Sequence, residues 1–434
     1  MMKLAPNAYN LIVEIEESKK EELVNVLGKM QPNIEDNDIL PFKSIKSIHF
    51  ARFVILHKSK EKPKYPDYLV FSTNYDGDLD SHLLEIINCP KADIGQIFNC
   101  CKGYENLSED SRLDWFKKNA KLKAFFYRGT WGLNTEQIHF EEKSRRIAEE
   151  HIDSLAKKNL AAMELRQDII RNAKEKDSFK AFKDFRLPKF NFLLALIILL
   201  LILTVMITGL SLITGSLFMG GLLFLIGLIA IALTLLVILR IHESRDKQHD
   251  KKESDHKRTK EFTKAEDRIV QNQLTHLAEL KPGLFRLLTL KLVLNGISFL
   301  SKYIYNKGKL GEIPTIHYAR WIIIDNGKRL LFMSNFDGSW ESYLGDFVDK
   351  AATGLTGIWS NTRGFPKTRF LVSKGAKDEQ RFKAWSREQQ VHTDVWYSAY
   401  TDLTVTNITN NSALQRGLTN ELTDKEVEDW LQRY

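Results

Sequence analysis

The hydrophobic pattern of this chain changes period several times. Near the start, AYNLIVEI alternates apolar and polar residues and predicts a strand. KKEELVNVLGKM then places Leu23, Val24, Val26 and Leu27 at helical spacing. IHFARFVIL and YLVFST are β-branched and aromatic and predict two more strands, DSHLLEII predicts a helix, and KAFFYRGT predicts a closing strand. This order is that of the ferredoxin-like split βαβ unit.

The pattern returns in the second half. IHFARFVIL (Ile48 to Leu56) is echoed by IHYARWIII (Ile316 to Ile324), and YLVFSTNYDGDLDSHL (Tyr68 to Leu83) by RLLFMSNFDGSWESYL (Arg329 to Leu344). IFNCCKGY is then echoed by IWSNTRGF, and AFFYRGTWGL by DVWYSAYTDL. The blocks keep their order about 260 residues apart, which predicts an internal duplication. In the second copy LLTLKLVL is expected to be the first strand and GISFLSKYIY its helix.

Asn326-Gly327 predicts a tight hairpin in the second copy. Counting outward, Ile323 faces Leu330, Trp321 faces Phe332, Ala319 faces Ser334 and His317 faces Phe336, on one side of the sheet. Tyr318, Arg320, Ile322, Leu331, Met333 and Asn335 take the other. Both faces are largely apolar, so helices should cover one and a second sheet the other. The fold class expected is α+β: two ferredoxin-like repeats forming a pseudo-dimeric α+β barrel.

Between the copies the periodicity vanishes. From Phe190 to Leu239 no residue is charged. A span needs about 20 apolar residues, so a run of about 50 predicts a two-helix transmembrane hairpin, turning near Gly215-Ser216. Basic residues flank both outer ends (Lys180, Lys183, Arg186 and Lys189; Arg240, Arg245 and Lys247), and the turn carries none, which places both termini and both repeats in the cytoplasm. The first residues show no signal peptide. Gln137 to Phe185 and His242 to Leu280 are charged, with spaced apolar residues, and predict two helices running side by side as a stalk. The expected division is therefore 1–134 repeat, 135–187 stalk, 188–241 transmembrane hairpin, 242–282 stalk and 283–434 repeat.

Composition adds little. A net charge of +8 over 434 residues is modest, and acids are interleaved with the basic flanks, so no nucleic-acid partner is implied. Cys89, Cys100 and Cys101 in a reducing compartment predict free buried thiols. Asn106, Asn407 and Asn410 head glycosylation triplets that carry no meaning on the cytoplasmic side. His242, His249 and His256, seven apart, are too widely spaced to share a metal, so no metal site is predicted.

The twice-used signature TNYDG/SNFDG carries the candidate chemistry. Arg320, Asn335 and Asp337 gather at one end of the hairpin, and Arg52, Asn74 and Asp76 should do the same in the first copy. His49 and His317 lie at that end on the opposite face. An Asp before a helix caps its free N–H groups, and an Arg can hold it there. The same residues could instead line a polar pocket for an anionic or amide ligand.

Tandem units of this kind resemble the dimeric α+β barrel superfamily, which includes dye-decolourising peroxidases and chlorite dismutases. That resemblance implies haem as a cofactor, held by a proximal His, here His392, beneath a distal Arg or Asp. Asp76-Gly77 and Asp337-Gly338 match the end of the peroxidases' Gly-x-x-Asp-Gly, with Thr73 and Ser334 where its first Gly stands. The run HFARF, NYDG, CKGY and FYRG with Glu136-Gln137-Ile138 also resembles a set of uncharacterised bacterial membrane proteins. The function expected is a membrane-anchored, non-catalytic protein binding a small molecule or lipid-derived ligand. The alternative is a haem-dependent peroxidase-like oxidoreductase. The partners expected are the bilayer, the ligand and a further copy of the chain. Two spans without an intramembrane charge leave no transport path.

Overall fold

The computed structural model describes residues 6–58, 65–121, 125–155, 160–183, 185, 187–248, 255–264, 266–305, 309–310 and 312–434. His249 lies outside them. The chain is mixed α/β, with antiparallel sheets and, among the described residues, three helices long and apolar enough to cross a membrane.

The first part runs β1 (Asn7–Glu14), α1 (Lys20–Met30), β2 (Ile48–Leu56), β3 (Tyr68–Tyr75), α2 (Leu79–Ile87), α3 (Gly95–Phe98), α4 (Glu109–Lys118) and β4 (Phe125–Arg128). Two longer helices follow, α5 (Thr135–Leu155) and α6 (Ala162–Glu175). The apolar run forms α7 (Phe192–Thr214) and α8 (Leu217–Ser244). Asn191 caps α7, Gly215 ends it at φ +70°, and Ser216 caps α8. Gly220 lets the two helices touch, since a Cβ there would run into Ser211.

The second part runs α9 (His256–Thr263), β5 (Gln271–Glu279), α10 (Leu284–Tyr303), β6 (Ile316–Ile324), β7 (Arg329–Asp337), α11 (Trp340–Lys350), α12 (Ala352–Trp359), β8 (Thr368–Arg369), β9 (Ser373–Lys374), α13 (Glu379–Gln389), β10 (Val395–Ser398), α14 (Val405–Thr419) and α15 (Asp424–Leu431).

Two four-stranded antiparallel sheets result, ordered β1-β3-β2-β10 and β4-β6-β7-β5. Each takes its last strand from the other half of the chain. Tyr397 of β10 lies beside Ala51 of β2, and Tyr127 of β4 beside Ala319 of β6. The expectation that each copy closes with its own last strand is thus corrected: each of these strands completes the opposite sheet along β2 or β6.

The sheets pack face to face. Ile12, Val54, Leu56 and Val70 of one meet Ile322, Ile324, Leu331 and Met333 of the other. The outer faces hold two larger aromatic cores under helices. The β6–β7 ladder pairs Ile323 with Leu330, Trp321 with Phe332 and Ala319 with Ser334, as the Asn-Gly turn predicts. It departs at the end, where Ile316 rather than His317 faces Phe336 across a bulge, and β2 carries a matching irregularity between Ile48 and Phe50.

Three further expectations are corrected. The second part starts at β5, within 242–282, so that stretch is not a helical stalk. QNQLTHLAE is mostly polar, and its apolar residues, Leu274, Leu277 and Ala278, show no period of two to mark a strand. LLTLKLVL belongs to helix α10, whose Arg286, Leu290 and Leu294 turn inward at four-residue spacing. Finally, α5 and α6 do not run beside the second flank. They pack on α14 and α15 around Ala148, Ile169, Leu414 and Trp430.

Candidate functional site

The two arginines of the signature lie between the sheets, each 3% exposed. Strand alternation aims Arg52 out of one sheet at the other, where Nη1 donates to the Leu274 carbonyl and Thr275 Oγ1, both at 3.0 Å. Nη2 donates to the Ser334 carbonyl at 2.8 Å and to Asn335 Oδ1. Arg320 mirrors it, donating from Nη1 to Asn10 Oδ1 (3.0 Å), Ser72 Oγ (2.7 Å) and the Thr73 carbonyl (3.1 Å), and from Nη2 to Asn74 Oδ1. Burial lowers both guanidinium pKa values, that of Arg320 to about 9, and the Arg320 charge adds to the effect on Arg52. The sequence places Arg320 with Asn335. The structure crosses the pairs, so each arginine meets the asparagine of the other half.

At one end of the sheets the bulges turn His49 and His317 toward the signature aspartates, not away from them. His49 Nε2 lies 2.9 Å from Asp76 Oδ1, and its Nδ1 lies 2.9 Å from the Tyr400 hydroxyl. His317 Nε2 lies 2.7 Å from Asp337 Oδ1. An ionised carboxylate only accepts, so Nε2–H donates in both pairs. His317 Nδ1 has no partner. Burial, reinforced by Tyr318, holds the Tyr400 hydroxyl well above its ordinary pKa.

The outer oxygens of these aspartates close on helix N-termini. Asp76 Oδ2 accepts from Thr135 N (2.9 Å) at the start of α5, and Asp337 Oδ2 from Val405 N (2.8 Å) at the start of α14. These are not the helices next in sequence. Those are capped by Asp78 and Ser339, which accept from Ser81 N at 3.0 Å and Ser342 N at 3.1 Å. Both imidazoles have no exposed surface. The arrangement orients two buried rings and anchors two helices.

An open site lies between α5 and α14. A cleft of about 310 Å³ is lined by Trp131, Gln137, Glu141, Phe185, Ser412 and Gln415, among others. Glu141 is 2% exposed. Its Oε1 accepts from Gln137 Nε2 at 2.7 Å, but Oε2 makes no close hydrogen bond. Burial pushes the carboxyl up to about 7, against the restraint of Gln137, Arg416 and Ser412. Gln415 donates its amide to the Lys180 carbonyl at 2.8 Å, leaving Oε1 without a partner. The exposed Arg416 and Lys183 stand at the rim. Phe185 closes one side by sitting on Gly132, where a Cβ would collide with it.

Sequence reasoning missed this cleft because Glu141 reads as one more surface charge of a stalk. Its signal was positional: Ile138, Glu141, Ser144 and Ala148 form one inward stripe of α5.

His392 is exposed at the rim of a separate cleft of about 500 Å³ that also includes Gln273 and Thr393. Gln273 stands between this cleft and Arg52, accepting from Arg52 Nη1 at 3.3 Å and from Thr393 Oγ1 at 2.8 Å. A haem there would meet Arg52 only behind Gln273, and the cleft's own Arg268 is bonded to the Lys264 carbonyl, so these residues do not fit the haem-binding set. Among the described residues no group of three His, Cys, Asp or Glu side chains could hold a metal ion. Cys89, Cys100 and Cys101 are free and buried. Comparison of the chain with protein-family models, curated proteins and solved structures finds no match.

Proposed function

We propose that this chain is a membrane-anchored, non-catalytic binding protein that holds a small zwitterion in the cleft between α5 and α14. In this reading α7 and α8 cross the bilayer as a hairpin, with the α/β body on the cytoplasmic face. That body is two ferredoxin-like repeats joined into one α+β barrel. The matching bulges at His49 and His317 and the mirrored arginines support the duplication. The uncharged turn between basic flanks supports the orientation.

One observation carries the binding role: Glu141 Oε2, which makes no close hydrogen bond and has only the Ser412 hydroxyl to restrain it, and Gln415 Oε1, which has no donor, are buried acceptors beneath a basic rim. A buried polar group left unpaired costs about 1–3 kcal/mol. An ammonium group would satisfy both acceptors by charge-assisted bonds, over the aromatic walls of Trp131 and Phe185. A carboxylate or phosphate at its other end would meet Arg416 and Lys183. Amino acids and the lipid headgroup phosphoethanolamine have this chemistry. The sealed His–Asp pairs and committed arginines leave the space between the sheets no such role.

The test is calorimetric titration of the full chain in detergent micelles with phosphoethanolamine and with glycine, alongside the Trp131 fluorescence signal. Binding of at least one probe is expected, weakened about tenfold or more in Glu141→Gln by loss of a charged bond. If neither probe binds, or if the variant binds as wild type, the reading fails. Haem titration gives the rival its chance: a Soret band lost in His392→Ala would favour the peroxidase-like reading.

A further inference from the structure

Two apolar surfaces remain without a role. The first is a stripe on α10: Leu284, Leu288, Leu292 and Leu300 stand exposed, Leu288 by 53% and Leu292 by 74%. The second is the tip of the β8–β9 hairpin, with Phe370 44% and Val372 41% exposed.

Both surfaces are fixed to the points where the apolar helices meet the α/β body. At one end of α10, Phe299 and Tyr303 pack on Phe190, just before α7, with ring centroids 4.8 and 5.4 Å apart. At the other, Phe285 stacks on His242 of α8 at 5.0 Å. Asp246, just past α8, pairs with Arg286 at 2.6 Å and with Lys281 at 2.7 Å. The hairpin tip is held by Glu243 of α8, whose carboxylate accepts from Phe370 N at 2.9 Å and Leu371 N at 2.7 Å.

By length, α10 could cross a bilayer, since 20 residues make about 30 Å of helix. Its packing argues otherwise. Arg286 is 1% exposed, and Leu290 and Leu294 are buried in the core beneath the β4-β6-β7-β5 sheet. A spanning α10 would drag that sheet into hydrocarbon, where its edge groups find no partners. The corresponding helix of the other half, α1, follows β1 as α10 follows β5. Its outer face is mostly polar, with Glu21, Glu22, Asn25 and Lys29 exposed around a single large apolar residue, Val24. The leucine face therefore belongs to the side of the molecule next to α7 and α8.

We propose that α10 lies flat in the membrane surface, its leucine stripe and the Phe370–Val372 tip docking the α/β body onto the bilayer that α7 and α8 cross. The occupant is lipid at the headgroup–acyl boundary. Exposed Lys291 and Lys302 beside the stripe suit anionic headgroups. The inference rests on the reading of α7 and α8 as spans and is independent of the cleft.

Site-directed spin labelling of the full chain in nanodiscs of phosphatidylcholine with phosphatidylglycerol tests it. Labels go on Leu288→Cys, Leu292→Cys and Leu300→Cys, with Val205→Cys on α7 and Val24→Cys on α1 as controls. The native thiols are buried, and burial raises their pKa values, which keeps them unlabelled. The α10 labels are expected at one shallow depth, about 5–10 Å below the surface, by oxygen against nickel accessibility. A spanning helix would separate 288 from 300 by about 18 Å in depth, and that overturns the proposal. Water-like accessibility at all three, matching Val24, also overturns it. If Val205 too reads as water, the anchoring itself fails. If Val205 reads deep while the α10 labels read as water, only the docking fails.

Discussion

Arg52 and Asn335 stand on different sheets and in different halves of the chain, and they share a hydrogen bond in the space between. Arg320 and Asn74 repeat the bond with the halves exchanged. Each guanidinium also takes backbone carbonyls of the sheet it faces, so the arginines pin the two sheets across an otherwise apolar contact.

Removing either pin should therefore cost stability. Arg320→Ala removes the charged donor shared by Asn10, Ser72 and Asn74 in a buried place, leaving Asn10 only the Ser72 hydroxyl and Asn74 only the Asn335 amide, a loss of about 3 kcal/mol. Arg320→Lys should recover little, because an ammonium lacks the planar fork that reaches several acceptors at once. Urea denaturation of both variants checks this, and a loss below about 1 kcal/mol for the Ala variant would show that the bonds are dispensable.

The two nearby aspartates of the first half should behave differently. Asp78 is an exposed cap whose loss costs about 1 kcal/mol. Asp76 ties His49 to the Thr135 amide, and Asp76→Ala leaves both donors buried and unpaired, costing about 2–3 kcal/mol. Hydrogen exchange should localise the damage to the first turn of α5, some sixty residues away in sequence. Equal effects of Asp76→Ala and Asp78→Ala would refute the distinction.

Glu141 gives the chain a pH dependence of definite sign. Its carboxyl titrates at about 7 when folded, against an ordinary 4.5, so across that window the folded chain binds more protons than the unfolded one. The stability this contributes is fully present below 4.5 and is lost as pH rises through about 7, in total about 3 kcal/mol. His82 and His276, lowered to about 3 by burial, oppose it: their contribution is present above the ordinary imidazole range and is lost as pH falls. Comparing Glu141→Gln with wild type isolates the carboxyl. The variant should be the more stable chain at about pH 8 and no better at about pH 4. Parallel stability curves across that range would sink the assignment.

How far the sequence could be read followed from how local each signal was. The Asn326-Gly327 turn set the register from Ile323 to Ala319, because a hairpin carries its own partner within a few residues. The same count failed at His317, since a bulge has no residue signature there, and that slip aimed both histidines at the wrong face. The Arg, Asn and Asp positions were legible as a group. Which asparagine each arginine meets was not, because that depends on two sheets facing each other. β5 was missed because Gln271, Asn272, Gln273, Thr275 and His276 are polar, and its apolar residues, Leu274, Leu277 and Ala278, do not alternate. Glu141 was hidden by its neighbours Glu142, Lys143, Arg145 and Arg146, which are surface charges.

The exchange of last strands was the least legible feature, and it makes the sharpest prediction. Tyr397 lies within forty residues of the C-terminus, yet it stacks on Phe42 with ring centroids 5.0 Å apart and belongs to the core of the first half. Truncating a buried aromatic costs about 3–5 kcal/mol. Tyr397→Ala should therefore lower hydrogen-exchange protection first at Ala51, Phe53 and their neighbours in β2, which β10 borders. The protection of β6, whose edge is covered by β4, should fall less. A conventional arrangement, with β10 closing the sheet of its own half, predicts the reverse order. Residue-resolved exchange on the full chain in micelles decides between them, and greater loss at Trp321 than at Phe53 would rule the exchange out.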